Sequence, residues 1–213
     1  MDWSSIVKEQ LDKLKDSGLL SLSTLKLGVV HNGNAEKDIQ RFNELMLNYY
    51  NYEIMFIEPT TSTAESSTII ELKKFCDESI QNYKILYIHS KGVTHQGTEN
   101  EIPCMNWREM MEYFLIENWT KCVDILEEGY NCCGINYQNH SASINGEYKL
   151  IKIFNGNFFW VNSFYVKKID KNFKFETRFS AENWILSEPH NAYSLFNTPS
   201  HVNLYKDIFT DYK

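Results

Sequence analysis

The residues best equipped for chemistry stand in "YIHSKGVTH" (Tyr87–His95), directly after the apolar run "YKIL". A strand ending here delivers an imidazole (His89), a hydroxyl (Ser90) and an ammonium (Lys91) to its carboxyl end, with Gly92 following at once. Ligands of open α/β sheets bind at the carboxyl ends of strands. Lys91 can neutralise a diphosphate, and His89 can ligate a divalent metal or donate to a phosphate oxygen. A plain surface turn also uses Ser, Lys and Gly, so composition alone leaves both readings open.

Three other clusters carry polar groups of the same kind. In "VVHNGN" (29–34) the Asn and Gly residues allow a tight turn close to a ligand, or simply join a strand to a helix. In "FNGNFFWVN" (154–162) Gly156 lets backbone approach closely, while Asn157 and Asn162 offer amide donors and acceptors. Phe158, Phe159 and Trp160 can face a sugar ring, although a hairpin turn followed by core aromatics fits the same letters. In "RFSAENWIL" (178–186) Glu182 falls in the first turn of a short helix that Ser180 can cap. The helix dipole favours an ionised carboxylate there. Such a group suits a general base or a stabiliser of developing positive charge, or it merely complements the helix terminus.

Alternating strands and helices must position these groups. Ile6–Leu14 reads as a short amphipathic helix, followed by a strand at 25–30 and a helix from about Ala35 with Ile39, Phe42, Leu45 and Met46 on one face. A second strand at 52–58 is stopped by Pro59; Thr61 or Ser62 then starts a helix burying Ile69, Leu72, Cys76 and Ile80. After the third strand, a long helix capped by Asn106, with Glu109 three residues on, carries an apolar stripe from Trp107 to Leu126 and ends at Gly129. "YNCCGINY" (130–137) reads as the next strand, with Cys132 and Cys133 on opposite faces. The alternation implies a mostly parallel sheet covered on both faces. Beyond it, 139–148 reads as a polar loop or hairpin tip, 149–169 as a strand, turn and amphipathic segment, and Tyr193–Lys213 shows no strong period. A single α/β domain over 1–213 is expected, with a nucleotide-binding half at about 20–137 and a mixed acceptor-side region at about 138–213.

Bulk properties narrow the classes. With 213 residues, 43% of them apolar and 15% aromatic, the chain can bury a sizeable core. The net charge of −7 and the scattered lysines argue against nucleic-acid binding, so an anionic ligand needs a local arrangement. Five cysteines without a C-x-x-C pair suggest reduced structural thiols and a cytosolic setting. No run of about 18 apolar residues suggests a membrane span, and no apolar leader opens the chain. P-loop, G-x-G-x-x-G, G-x-S-x-G and H-E-x-x-H motifs are absent from the sequence.

The order of the four clusters resembles a glycosyltransferase of the GT-A type. "HSK" (89–91) stands where that type carries a metal-binding acidic motif, "NGN" (155–157) resembles its glycine loop, "AEN" (181–183) its carboxylate motif, and His201 in "PSHVNLY" its late histidine. Across about residues 25–190, "YIHSKG…NWREMMEYFLIENW…CCGINY…FNGNFFWVNSFYVKKI…RFSAENWIL" is similar to short-domain glycosyltransferases of bacterial polysaccharide clusters and large DNA viruses. Among these it most resembles the amino-terminal transferase domains of chlorovirus multi-domain glycosyltransferases. The resemblance implies transfer of a hexose or deoxyhexose from a UDP- or TDP-sugar to a glycan hydroxyl, in viral glycan biosynthesis in the host cytoplasm, with further catalytic domains in a longer chain.

It also implies residue roles. His31, Asn32 and Gly33, with Thr60 and Thr61, would line the base and ribose; His89, Ser90 and Lys91 would hold the diphosphate; Trp107 and Arg108 would close the donor pocket. Gly156, Asn157 and Trp160 would face sugar or acceptor, and Glu182 would be the catalytic carboxylate. One departure stands out: no D-x-D occurs anywhere in the chain. Either His89 and His201 share Mn²⁺ (Mg²⁺ accepting imidazole less well), or Lys91 replaces the metal at the leaving diphosphate. The alternative to an enzyme is a non-catalytic nucleotide- or carbohydrate-binding module.

Overall fold

A computed structural model describes residues 2–31, 35–59, 64–144 and 147–213. Helix α1 (Trp3–Asp16) starts where the Asp2 carboxylate accepts the Ser4 N–H at 3.2 Å, and it buries Ile6, Leu11 and Leu14. The short α2 (Leu19–Leu22) follows, and then β1 (Leu25–His31), α3 (Ala35–Met46), β2 (Tyr52–Pro59), α4 (Ala64–Glu78) and β3 (Lys84–Tyr87). In α3 Phe42 and Met46 are buried, and in α4 Ile69, Leu72 and Cys76 are, as their spacing predicts. Ile80 is a correction: α4 stops at Glu78, and Ile80 beyond it is exposed. Thr61 and Ser62, expected to start α4, lie outside the described residues.

The long helix differs from its reading in both its start and its continuity. Helix α5 (Glu101–Glu112) begins more than a turn before Asn106, whose side chain is spent elsewhere: its Oδ1 accepts the Phe209 N–H at 2.7 Å. A π-helical turn (Tyr113–Glu117) interrupts the stripe before α6 (Trp119–Glu127). Asn118 closes that turn by donating its amide to the Tyr113 carbonyl at 2.8 Å. Gly129, at φ +102°, follows α6 as the left-handed residue that a helix end needs.

The second half contributes β4 (Cys132–Gly134), β5 (Tyr137–Ile144), β6 (Glu147–Phe154), β7 (Phe159–Asn162), α7 (Ser163–Val166), α8 (Arg178–Trp184) and β8 (Ala192–Ser194). Residues 139–144 and 147–148, read as a polar loop or tip, are paired in the β5–β6 hairpin.

The chain is α/β, but the sheet is not mostly parallel. Strands β1 and β2 pair in parallel, as do β4 and β8. The four-stranded sheet runs β3-β7-β4-β8, with β7 antiparallel to both β3 and β4. A strand from the second half thus lies between β3 and β4 and runs antiparallel to both, which breaks the expected parallel order. Its residues explain why it fits: Phe159 and Val161 enter one core and Trp160 the other, the period-two pattern of a strand buried on both faces. Cys132 and Cys133 divide between the same two cores, as expected.

One core gathers α1, α3, α5, the π turn and α6 around Trp107, Met110, Met111 and Leu115. The other gathers α4, α7 and α8 around Ile69, Tyr165 and Trp184. The C-terminal segment after β8 has little regular structure, yet Leu204 and Tyr212 are buried against the first core. Among the described residues no helix is long and apolar enough to cross a membrane.

Candidate functional site

Just past β3 the backbone turns sharply. The His89 carbonyl accepts the Lys91 N–H at 2.7 Å and the Gln10 side chain at 3.0 Å. Gly92, at φ +95°, then sends the chain into a short 3₁₀ turn (Val93–His95). Only glycine takes this conformation without strain, which answers why the strand end is followed by one.

Lys91 does not project into solvent. Its side chain lies back on α5, with Nζ 3.8 Å from the Trp107 ring centroid and 5.7 Å from that of Tyr205. A desolvated ammonium over an indole gains about 1–2 kcal/mol. The Lys91 carbonyl accepts from the Arg108 guanidinium at 3.1 Å, and Arg108 in turn pairs with Glu9 at 2.6 Å and lies 3.3 Å from Glu112. Lys13 reaches Glu112 at 2.7 Å. Burial pushes the Glu112 carboxyl above its ordinary value, and Lys13 and Arg108 pull it back without cancelling the rise. Burial also depresses the Lys13 ammonium, but the charge and hydrogen bond of Glu112, joined by the charges of Glu9 and Glu117, together outweigh it, so Lys13 ends raised. These charges fix α1 to α5 and hold the turn carrying Lys91.

The second wall is the turn between β6 and β7. Gly156 is buried at φ +103°, and a Cβ there would meet Met111 Sδ at 2.5 Å and Trp107 at 3.1 Å. Its carbonyl accepts the His89 Nε2–H at 3.1 Å, while the Phe158 ring meets the imidazole edge-on at 5.2 Å. Asn157, also left-handed at φ +58° and 2% exposed, donates Nδ2–H to Glu65 Oε2 at 2.7 Å. Its Oδ1 is buried with no hydrogen-bond partner among the described residues. Glu65 stands in the first turn of α4, where the helix dipole favours its anion, and its Oε1 lies 3.8 Å from His89 Nδ1. Three segments therefore converge: 89–92 after β3, 155–158 before β7, and the start of α4.

The sequence singles out the first two segments as separate clusters and misses the third. Glu65 had one readable signal, an acidic residue opening a helix directly after a strand, which is also a common way to complement a dipole.

The remaining site candidates fall in several places. Ser90 is exposed beside His89, and His31 ends β1 opposite Pro59. Asn32, Gly33, Thr60 and Thr61 lie outside the described residues. Trp107 is the buried floor under Lys91, and Arg108 is a buried ion-pair partner, so neither forms a pocket wall open to solvent. Trp160 is a correction too: it is 3% exposed with Nε1–H given to the Leu115 carbonyl at 2.8 Å, a core residue and not a sugar platform. Phe158 and Phe159 are equally buried, and Asn162 spends its amide on the Tyr130 carbonyl at 2.9 Å.

Helix α8 carries Glu182, but not in its first turn. Thr177 caps the helix in a reciprocal box with Ser180, which moves the start to Arg178 and leaves Glu182 beyond the reach of the dipole argument. Neighbouring Asn183 ties α8 to β6 by donating to the Lys152 carbonyl at 3.1 Å. His201 is exposed in the C-terminal segment, and no described contact joins it to His89. Among the described residues no three His, Cys, Asp or Glu side chains group to hold a metal.

Residues 2–192 match the model of a family described as a domain of unknown function (DUF8361), and the chain belongs to that family. No curated protein and no solved structure matches it.

Proposed function

We propose that this DUF8361 protein is a glycosyltransferase of the GT-A type, moving a hexose or deoxyhexose from a UDP- or TDP-sugar to a glycan hydroxyl. The observation that supports the reading best is the His89–Gly156 hydrogen bond, 3.1 Å across 67 residues of sequence. It joins the strand-end motif to the glycine turn, two of the four features on which the resemblance rests.

In this reading the leaving diphosphate lies over residues 89–92. Lys91 supplies positive charge where negative charge grows, held in place by Trp107 below and by Arg108 through its carbonyl. Ser90 donates its hydroxyl to a phosphate oxygen, and His31, Asn32, Gly33, Thr60 and Thr61 line the base and ribose. Trp107 and Arg108 act by positioning Lys91, not by closing over the donor. Mn²⁺ or Mg²⁺, when bound, supplies further charge to the diphosphate.

A carboxylate completes the chemistry. Glu182 deprotonates the acceptor hydroxyl if the anomeric centre inverts, or stabilises the oxocarbenium-like state if configuration is retained. Glu65 stands at the strand-end motif itself and competes for that role. A donor-hydrolysis screen over UDP- and TDP-sugars, repeated with Glu182→Gln and Glu65→Gln, tests the reading. Loss of turnover with retained donor binding identifies the carboxylate. Full turnover in both variants removes a carboxylate mechanism, and binding without turnover in wild type supports the binding module instead.

A further inference from the structure

We propose that the face carrying Ile80, Phe164 and the lysines of 167–174 docks on an anionic lipid bilayer. This face lies at the end of the sheet opposite the strand-end motif. The Tyr83 carbonyl, just before β3, accepts the Ser163 N–H at 2.9 Å, and Asn82 Oδ1 accepts the Ser163 hydroxyl at 3.2 Å. The 79–83 segment and α7 are thereby joined where β3 begins and β7 ends. His89 and Gly156 stand beyond the other ends of the same two strands.

Exposed apolar side chains are ordinary when scattered, so their placement decides. Ile80 is 93% exposed between α4 and β3, and Phe164 is 49% exposed on α7. Lys167 brings them together: its Nζ donates to the carbonyl of Ser79, the neighbour of Ile80, and lies 5.2 Å from the Phe164 ring centroid. Helical hydrogen bonds run on past α7, from the Lys167 N–H to Ser163 and from the Lys168 N–H to Tyr165. Phe164, Lys167 and Lys168 therefore share the outer side of one turn, while Tyr165, Val166 and Ile169 are buried in the core beneath. Lys171 continues the face across a groove that it lines with Ile70 and Lys73 of α4.

Charge says what covers this face. Residues 164–175 hold four lysines against one aspartate, in a chain of net charge −7. Lys73 and Lys74 are already paired with Asp77 and Glu71. Lys168, Lys171 and Lys174 are exposed and have no ion pair among the described residues. Anionic headgroups attract such lysines, each strengthening binding about fivefold. Exposed Ile and Phe side chains among these ammoniums enter the boundary between headgroups and acyl chains, and the lysine stems add apolar surface there. A nucleic acid would use the charges but leave the aliphatic Ile80 with nothing to bury it, since bases stack on aromatic rings. Docking by this face turns residues 89–92 away from the bilayer, and nothing in it depends on the transferase reading.

Sedimentation of the full chain with vesicles is the test, phosphatidylcholine alone against an equal mixture of phosphatidylcholine and phosphatidylserine. The chain should pellet with the anionic vesicles and stay in solution with the neutral ones, and added salt should release it. Lys168→Glu with Lys171→Glu should weaken partitioning about tenfold or more. Ile80→Ser with Phe164→Ser should weaken it about tenfold as well, without any change of charge. All four positions are exposed, and circular dichroism checks that both double variants fold. Ile80→Trp should add a fluorescence, over the wild-type background, that brominated acyl chains quench. The proposal is overturned if anionic vesicles leave the wild-type chain in solution, if either double variant binds like wild type, or if the added fluorescence is not quenched. Duplex RNA that displaces the vesicles and still binds Ile80→Ser with Phe164→Ser as tightly as wild type would overturn it in favour of a polyanion surface.

Discussion

Gly156→Ala isolates the contact on which the site's second wall depends. Two costs add. At φ +103° an L-residue is strained, by about 1–2 kcal/mol. The new methyl would also sit 2.5 Å from Met111 Sδ and 3.1 Å from Trp107, and overpacking of this kind costs about 1–3 kcal/mol. Together they give roughly 2–5 kcal/mol, or a fall in Tm on the order of 10 °C for a chain of this size. Shortening the buried neighbour separates the two. Met111→Ala alone opens a cavity at about 2–5 kcal/mol, but in the double variant the methyl introduced by Gly156→Ala occupies part of that space. Urea unfolding of wild type, both single variants and the double variant should show a favourable coupling of about 1–3 kcal/mol, while the backbone strain persists. A Gly156→Ala protein within about 0.5 kcal/mol of wild type, or a double variant whose cost equals the sum, would refute the packing described.

Three further outcomes follow from the same geometry. Glu112 has a folded-state pKa above the 4.5 of an ordinary glutamate, so the folded chain holds that proton after the unfolded chain has lost it. Its contribution to stability must therefore fall as pH rises from 4.5 through the raised value, and Glu112→Gln should gain on wild type over that window in pH-dependent urea titrations. Trp160→Phe leaves the Leu115 carbonyl without its donor and should lose about 1–3 kcal/mol of stability by thermal melting, with donor affinity unchanged. Lys91→Met keeps the stem against Trp107 but removes the charge, so nucleotide-sugar binding by calorimetry should weaken well beyond any change in Tm.

Local patterns in the sequence were enough to place most elements. Alternating apolar spacing located β1, α3, β2, α4 and β3, because each buries one face and its period is local. The insertion of β7 between β3 and β4 was not legible, since pairing across some 75 residues leaves no mark in the period of either strand. The start of α5 was misread because Asn106 satisfies the spacing of a capping box while its side chain serves the distant Phe209 backbone. At the site, His89, Lys91, Gly156 and Asn157 could be found by residue type. Glu65 could not, because its partners come from 24 and 92 residues away and a glutamate opening a helix is ordinary. Trp160 and Arg108 were over-read for the opposite reason: types enriched in binding sites also make cores and buried ion pairs.

The most direct test of the central claim is release of UDP or TDP from a panel of nucleotide sugars by the wild-type chain, with Lys91→Met alongside. The account expects one donor to be turned over, slowly without acceptor and faster with a glycan, and that turnover to collapse in Lys91→Met. A wild-type chain that binds nucleotide sugars yet releases no nucleoside diphosphate from any of them, with glycans present, would contradict it.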